Sequence, residues 1–487
     1  MDRSTVELIV FIVYLACMLG IGVFFFVRGK RVGGDKEYFL GGRAMGPFVT
    51  ALSAGTADMS AWVLMGLPTS IYALGMGQVW IPVGLALGYS LSWIFEAPRL
   101  RKFSIVANDS ITIPQFLTNR FLSKSKALQV ICAIIFLVAY TIYAASSIKA
   151  CGTLFNTVAG IDQNIAMYVA ALITIGYVFL GGFKAACWTD FFQGLLMLAA
   201  MMLAPIFAAS MLGSMDVAPM PDGYYNVLTS PQDIISGLAW GLGYFGMPHI
   251  IVRYMSLRSQ HEMKKSATVA IFWTVLIVFF AALIGIIGRQ FLGYDPVTEE
   301  NSLVFILMVR AIFPAVISGI LLAAILAASM STASAQMLAA ASSLAADVYK
   351  PFVRKGEVTE REMFWMSRCA VILISIVAVL IAANPGAGSI MSLVSNAWAI
   401  FGSAFGPAIM LSLFWKRFNF TGAIAGIVVG GVVDVVWLAL FTSVTGIYEL
   451  LPGFVLGLIA AVVATLATKA PGKEVVDLFD KALEYED

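Results

Sequence analysis

Long apolar runs separated by short polar segments dominate the chain up to about residue 470. A helix needs roughly 20 apolar residues to cross the hydrocarbon core of a bilayer. We therefore predict thirteen membrane-spanning helices and a short further helix at 302–310. The predicted spans are 6–28, 47–75, 77–98, 127–152, 163–182, 187–213, 230–256, 266–288, 312–347, 365–383, 388–415, 420–442 and 448–468.

The charge distribution agrees with this number of spans and gives the chain a direction. Charged residues make up 12% of the chain and the mean hydropathy is +0.91, whereas soluble domains contain about 25% charged residues. When successive loops are assigned to alternate sides, most of the 30 Lys and Arg residues fall on the side of the first loop. The positive-inside rule makes that side cytoplasmic. We expect the N-terminus outside and the C-terminus in the cytoplasm.

Composition and motifs disfavour several classes of function. Lys and Arg lie in short loops and form no basic face for nucleic acid. The sequence contains no phosphate-binding loop of the G-x-x-x-x-G-K-[ST] type. Five Cys without metal-ligand spacing and two His argue against a metal centre built from these residues. We see no nucleophile–base pair, so an enzyme is the least favoured class, and no obligate protein partner is evident.

The second and seventh predicted spans contain residues that interrupt a helix within the membrane. The second carries SAGTADMS, with Asp58 at mid-span, where an ionisable side chain costs at least ~2.5–3.5 kcal/mol unless it is solvated or paired. The seventh carries Gly241, Gly243, Gly246 and Pro248, and proline removes a helical hydrogen bond. Interruptions at matching places in two inverted five-helix units indicate the binding site of a secondary transporter.

The ninth predicted span carries a third candidate element. Ala328, Ser331 and Thr332 are spaced i, i+3, i+4 and share one helix face. One carbonyl and two hydroxyl oxygens there are suitable ligands for a small hard cation. The same small residues also favour close helix packing, and the spacing alone leaves both interpretations open.

Together these segments resemble a known family. AGTADMSAWVLMGLP, GGFKAACWTDFFQG, GLGYFGMPHIIVRYMS and AAILAASMSTASAQMLAAASSLAADVYKPF are similar to motifs of the sodium/solute symporter family, particularly its bacterial proline-transporting members. The resemblance extends over residues 6–470. It implies an all-α membrane protein of the leucine-transporter type, with a 5+5 inverted repeat, one extra N-terminal helix and two extra C-terminal helices. The implied parts are 1–46 (leading helix and first loop), 47–213 (first repeat), 230–415 (second repeat), 420–468 (C-terminal helices) and 469–487 (cytoplasmic tail).

The resemblance also implies sodium-driven import of L-proline by alternating access across the bacterial inner membrane. The positions that match the family's sodium ligands are the carbonyls of Thr56, Met59 and Ala328 and the hydroxyls of Ser331 and Thr332. The positions that match its substrate-binding residues are Ser60, Trp62, Tyr143, Trp240, Tyr244 and Pro248. The positions that match its coupling or gating residues are Asp58, Asp190 and Arg43.

Three rival interpretations remain at this point. The first is a sodium symporter of the same fold for another small carboxylate or a sugar, although a sugar carrier favours Asn, Gln and Glu around its pocket. The second is proton coupling through Asp58 or Asp190, for which Ser331 and Thr332 would be redundant. The third is an ion channel or a transporter-derived sensor, and we see no sensor domain.

Overall fold

The computed structural model describes residues 1–29, 35–214, 217, 219–355 and 357–487. Residues 30–34 belong to the predicted first cytoplasmic loop and lie outside the described residues. Helices account for the regular structure of the described ranges, where the one β-type contact is an isolated bridge between Met45 and Leu257. The predicted all-α class is therefore confirmed.

We number the principal helices α1 to α17 in chain order. Their bounds are α1 Arg3–Gly29, α2 Pro47–Asp58, α3 Trp62–Leu74, α4 Met76–Val106, α5 Ile113–Arg120, α6 Ala127–Ala159, α7 Gln163–Leu212, α8 Pro231–Phe245, α9 Pro248–Ser256, α10 Met263–Leu292, α11 Val304–Ile312, α12 Ala315–Val353, α13 Glu360–Ala382, α14 Ile390–Phe414, α15 Phe420–Leu440, α16 Leu450–Ala467 and α17 Lys473–Glu484. Shorter helices occupy Asp35–Leu40, Pro296–Glu300 and Thr442–Thr445.

Among the described residues, ten helices are long and apolar enough to cross a membrane, and two bent pairs raise the number to twelve. The remaining predicted span, 163–182, corresponds to a shorter apolar stretch, Gln163–Gly176. We predicted separate spans at 163–182 and 187–213, but the structure joins them in α7. A kink at Gly182, with φ 60° and ψ −169°, marks the junction, and glycine adopts this conformation without a Cβ clash. The division into two repeats stays a prediction.

Both predicted interruptions are present as bends within broken helices. The axes of α2 and α3 differ by 61°, and those of α8 and α9 by 45°. At the first break Met59 leaves helical geometry, with φ −78° and ψ 72°. At the second, α9 begins at Pro248, because proline lacks the N–H that would continue the preceding helix. Each break places non-helical backbone inside the helix bundle, where protein rather than lipid surrounds it.

Glycines allow α4 to approach the second broken helix backbone to backbone. A Cβ on Gly88 would lie 2.1 Å from the carbonyl oxygen of Gly241, and a Cβ on Gly84 would lie 2.5 Å from that of Gly237. Small residues at helix interfaces in membranes permit this close packing. The glycines therefore fix the position of α8 just before its break.

Buried arginines mark one end of the bundle, which we call the basic end. Arg43, Arg101 and Arg120 are buried there. We predicted a short charged tail beyond residue 470, and the structure forms helix α17 in it. Phe479 of α17 is buried with its ring 4.8 Å from the guanidinium of Arg120. The carboxylate of Asp487 accepts two hydrogen bonds from Arg101, at 2.9 and 2.6 Å, so the tail is anchored to α4.

Replacing Gly88 by Ala tests the contact between α4 and α8. The new Cβ would overlap the Gly241 carbonyl, and overpacking of this kind costs about 1–3 kcal/mol. We expect Gly88→Ala to lower the Tm of the purified protein in detergent. The matched control is Gly176→Ala, because a Cβ there meets no atom within 4 Å and alanine has the higher helix propensity. An equal Tm for both variants would contradict the proposed close contact.

Candidate ion and substrate site

The first break leaves a backbone carbonyl that three donors satisfy. The carbonyl oxygen of Asp58, the last residue of α2, accepts hydrogen bonds from the Ser60 amide at 2.9 Å, the Tyr143 hydroxyl at 3.2 Å and the Trp62 indole N–H at 3.4 Å. A carbonyl without partners in a membrane interior costs several kcal/mol. Three predicted substrate-site residues therefore converge on the end of α2.

The Asp58 carboxylate lies at the same break and has one partner. Its Oδ2 accepts a hydrogen bond of 2.6 Å from the Tyr244 hydroxyl, whereas its Oδ1 is buried and has no hydrogen-bond partner. Asp58 is fully buried, and none of the ion pairs within the described ranges involves it. A buried carboxylate without a counter-ion is costly, so this carboxyl requires a cation or a proton.

A cluster of packed aromatic rings includes Tyr244, the hydrogen-bond partner of this carboxylate. The rings of Trp62 and Trp240 lie 5.9 Å apart, and Tyr448 stacks on Trp240 at 5.1 Å. Trp398 donates from its indole N–H to the Trp240 carbonyl at 2.9 Å, and its ring lies 4.9 Å from that of Tyr244. We did not predict Trp398 and Tyr448. Both lie at least 150 residues beyond Pro248. Trp398 is in α14 and Tyr448 is in the connection before α16, so neither shares a sequence motif with the broken helices.

The predicted cation ligands on α12 contact two different helices. The Thr332 hydroxyl donates to the Thr56 carbonyl at 3.2 Å, so it joins α12 to the broken helix. The Ser331 hydroxyl donates to Asp190 Oδ1 of α7 at 2.6 Å. All four residues are fully buried. Hard oxygen atoms from α2, α7 and α12 therefore meet at one place.

The other two predicted cation ligands adjoin this place along the chain. Met59 is the residue at which α2 stops, so its carbonyl is released from regular helix geometry. Ala328 lies in α12 one turn before Thr332, and both Met59 and Ala328 are buried.

Asp190 forms an ion pair that we did not predict. Arg253 Nη2 lies 3.0 Å from Asp190 Oδ2, and Arg253 Nε donates to the Ser53 hydroxyl at 2.7 Å. That hydroxyl donates in turn to Asp190 Oδ2 at 2.6 Å. The network links α2, α7 and α9. Arg253 was visible in the sequence as an arginine at the end of an apolar span, and we assigned it only to the topology count.

The side chains of two predicted residues do not hydrogen-bond to the Asp58 carboxylate in this structure. Pro248 lines a cavity of about 30 Å³ together with Thr112, Val252 and Arg253, which is room for one or two water molecules. Ser60 contributes to the site mainly through its backbone amide, although its hydroxyl also accepts a hydrogen bond of 3.4 Å from the Trp62 amide.

Arg43 lies at the basic end, outside the spans. It donates to Asp109 at 2.9 Å, to the Ser110 carbonyl at 2.8 Å and to the Met255 carbonyl at 2.6 Å. Burial lowers the pKa of its guanidinium, and the carboxylate of Asp109 opposes this shift. Arg43 therefore ties the start of α2 to the end of α9, and it does not contact the Asp58 carboxylate.

The donor set determines which ions fit. Within the described ranges no three His, Cys, Asp or Glu side chains form a group that could hold a metal ion, as zinc or iron would require. The oxygens around Thr56 and Ser331 are carbonyl, hydroxyl and carboxylate groups, which hard cations prefer. The site therefore fits a monovalent hard cation better than a transition metal.

Comparisons with known proteins agree with this geometry. A sequence model of the sodium:solute symporter family matches residues 38–430. The high-affinity proline transporter PutP of Bacillus subtilis is 40% identical over 478 residues, covering 96% of this chain and 99% of its own. A sodium/proline symporter of Staphylococcus aureus is 40% identical over 487 residues, covering 97% and 94%.

A solved structure shows the same fold. The chain is similar to a sodium-coupled sialic acid symporter in a substrate-bound outward-open state, with a TM-score of 0.74 and 20% identity. The alignment covers 97% of this chain and 100% of that one. The predicted leucine-transporter-type fold is therefore confirmed.

Removing the two α12 hydroxyls should weaken cation binding. In Ser331→Ala/Thr332→Ala the α2–α12 and α7–α12 contacts are lost, and we expect apparent sodium affinity to fall on the order of 10–100-fold, as when supporting contacts of a metal site are removed. Sodium titration of the purified protein measures this. The control is Ser334→Ala, whose hydroxyl bonds only to a carbonyl of its own helix. Unchanged sodium affinity in the double variant would mean that this face serves packing alone.

Proposed function

The chain belongs to the sodium:solute symporter family, and we propose that it imports L-proline together with sodium by alternating access. The observation that carries this proposal is the meeting of α2, α7 and α12 oxygens at Thr56, Asp190 and Ser331, two residues along α2 from Asp58, whose fully buried carboxylate has no counter-ion in the described ranges. The proline specificity of the relatives PutP and the S. aureus symporter supports the choice of substrate.

Sodium binding would link the broken helix α2 to α12. We assign the carbonyls of Thr56, Met59 and Ala328 and the hydroxyls of Ser331 and Thr332 as its ligands. An ion there draws the end of α2 towards α12, which is the direction of the Thr332–Thr56 contact. The Asp58 carboxylate, one residue before Met59, supplies negative charge nearby. Ion binding would therefore fix the geometry of the break.

The aromatic rings suit a compact amino acid. Trp62 and Trp240 present broad apolar faces to a pyrrolidine ring. Their π-systems attract its secondary ammonium group. Tyr143 and Tyr244 each contact Asp58, so a substrate against these tyrosines lies beside the residue that separates it from the ion site. Sodium and substrate would share one broken helix, which is a direct route to coupling.

Ion release would require the network around Asp190 to change. Arg253, Ser53 and Asp190 hold α2, α7 and α9 together, and the small cavity at Pro248 lies beside Arg253. The positive-inside rule assigns the basic end to the cytoplasm. Arg43 would act there as a gating residue because it spans from the start of α2 to the end of α9. In this arrangement the N-terminus lies outside and the C-terminus in the cytoplasm.

The geometry favours this proposal over its rivals. Six aromatic side chains cluster at the proposed pocket, and no Asn or Gln side chain, as a sugar carrier would use, hydrogen-bonds to Asp58 or Trp240 in the described ranges. A proton carrier would need no ligand set at Ser331 and Thr332. We propose that the solute crosses the membrane chemically unchanged, and we assign no enzymatic role.

Proline uptake into proteoliposomes tests the proposal. We expect an inward sodium gradient to drive uptake, and sodium to tighten proline binding by about 5–150-fold, as for a coupling of ~1–3 kcal/mol. Linkage requires proline to tighten sodium binding by the same factor. The comparison is choline in place of sodium across a pH series. Equal proline affinity in both buffers at every pH would contradict sodium coupling, and preference for another solute would reassign the substrate.

Changing Trp240 tests the substrate wall separately. Phenylalanine keeps part of the aromatic face and alanine keeps none, and the cation–π contribution is about 0.5–2 kcal/mol. We expect proline affinity to fall in the order Trp, Phe, Ala, while sodium binding without substrate barely changes. Proline and sodium titrations of both variants measure this. A parallel loss of both affinities that follows Tm would assign Trp240 to packing instead.

A further inference from the structure

A second buried carboxyl lies within α4, away from the proposed ion site. Glu96 is fully buried and ends a π-helical turn, Ser92–Glu96. Its Oε2 accepts a hydrogen bond of 2.8 Å from the Ser92 hydroxyl, and its Oε1 has no partner. Single π-helical turns inside α-helices are frequent at functional sites.

Glu96 has no counter-ion. None of the ion pairs in the described part of the chain includes it, although Arg99 and Arg101 follow within five residues. Arg99 donates to the Leu413 carbonyl at 2.8 Å and Arg101 donates to the Leu257 carbonyl at 2.8 Å. An uncompensated carboxylate so deeply buried is costly, so this carboxyl carries a proton or exchanges it for another partner.

The elements packed against Glu96 offer hydroxyls rather than charges. The titratable group that contacts the Glu96–Ser92 pair is Tyr254 of α9, and Tyr89 lies about two turns earlier in α4. Both tyrosines are fully buried. Charged groups on the neighbouring elements are directed elsewhere, among them Arg253 to Asp190, Lys265 to the Phe48 ring, Arg289 to the Tyr72 and Tyr294 rings, Asp480 of α17 to Lys416, Asp233 to the Ser230 hydroxyl, and Lys264 to solvent.

Hydroxyls and rings connect Glu96 to the second broken helix. The Ser92 hydroxyl lies 3.0 Å from the Tyr254 hydroxyl of α9, and the Tyr254 ring lies 4.5 Å from that of Trp93. Tyr89 continues the series, 4.9 Å from the ring of Tyr244. The Tyr89 hydroxyl, the Trp93 N–H and the Thr274 hydroxyl lack partners in this interior. A change in the protonation of Glu96 would therefore alter the contact between α4 and α9, through Ser92 and Tyr254.

We propose that Glu96 is a proton-binding site that exchanges its proton with water at the basic end during the transport cycle. The O–H bond forms on the unpartnered Oε1 when water at that end delivers a proton, and it breaks when the proton returns. We call the packing of α9 against α4 in this structure the closed state. There a neutral carboxyl avoids a buried charge. When α9 separates from α4, water reaches the carboxyl and the proton can leave. The exchange during a transport cycle rests on the proposed function, whereas proton binding by Glu96 does not.

The sign of the pH effect follows from this exchange. The closed state holds the proton more tightly than the hydrated open state. Acid on the cytoplasmic side therefore favours closure, and alkali favours the open state. Where Glu96 titrates, the ratio of closed to open protein changes up to about tenfold for each pH unit. The return step, and with it steady-state uptake, slows as internal pH rises.

Sodium-driven proline uptake at fixed external and varied internal pH tests this prediction. We expect wild-type uptake to fall with rising internal pH, and Glu96→Gln to remove that dependence while keeping uptake, because glutamine has a similar shape and cannot exchange a proton here. The matched control is Glu474→Gln, the same substitution at an exposed site of α17, which should keep the wild-type profile. Superimposable profiles for Glu96→Gln and wild type would overturn the proposal.

An infrared measurement tests proton exchange at Glu96 without a transport assay. The wild-type spectrum minus that of Glu96→Gln isolates the carbonyl band of a protonated Glu96. We expect this band to weaken as pH rises in purified protein. A band that is absent or constant at every pH would overturn proton exchange at Glu96. If wild-type protein transports no proline, the uptake result rejects the proposed function, and the infrared result still judges Glu96.

Discussion

The structure depends on one constraint, which is that a membrane interior supplies no water to peptide groups. An interrupted helix there is stable only when other groups satisfy its free carbonyls and amides. At the end of α2 the Asp58 carbonyl receives the Ser60 amide, the Tyr143 hydroxyl and the Trp62 indole. Those donors are also the residues proposed to contact substrate. Backbone satisfaction and ligand recognition therefore use the same atoms, and a ligand that displaces one donor alters the end of the helix.

The same constraint explains how closely the surrounding helices pack. Backbone at the breaks has to be sheltered from lipid by neighbouring protein, and small residues allow that approach. A Cβ on Gly243, inside the 3₁₀-helical turn of α8, would lie 2.1 Å from the indole nitrogen of Trp398, which donates to the Trp240 carbonyl. The glycine that loosens the helix also admits the side chain that satisfies it. Flexible backbone and rigid support occur together at each break.

Local sequence predicted features whose cause is local. Gly and Pro in an apolar span predicted the break before Pro248, and the SAGTADMS segment predicted the break at which Asp58 ends α2. The i, i+3, i+4 spacing predicted that Ala328, Ser331 and Thr332 share one helix face. It did not predict that Ser331 and Thr332 contact different helices, because relative helix rotation is absent from periodicity. The sequence did not identify Arg253 as a site residue for the same reason, since its partners Asp190 and Ser53 are 63 and 200 residues away along the chain.

The two buried aspartates Asp190 and Asp58 differ in their partners, and we infer that they have different roles. Asp190 has a cation beside it, and its oxygens also accept hydrogen bonds from Ser53 and Ser331. Asp58 has only the Tyr244 hydroxyl. Breaking a buried ion pair leaves an uncompensated charge, so Arg253 can leave Asp190 only when another cation takes its place. A sodium ion at the proposed ligand Ser331 would be close enough to do so, because the Ser331 hydroxyl lies 2.6 Å from Asp190 Oδ1. Ion arrival would then weaken the link between α7 and α9 while stabilising the end of α2, which is the exchange of contacts that alternating access requires.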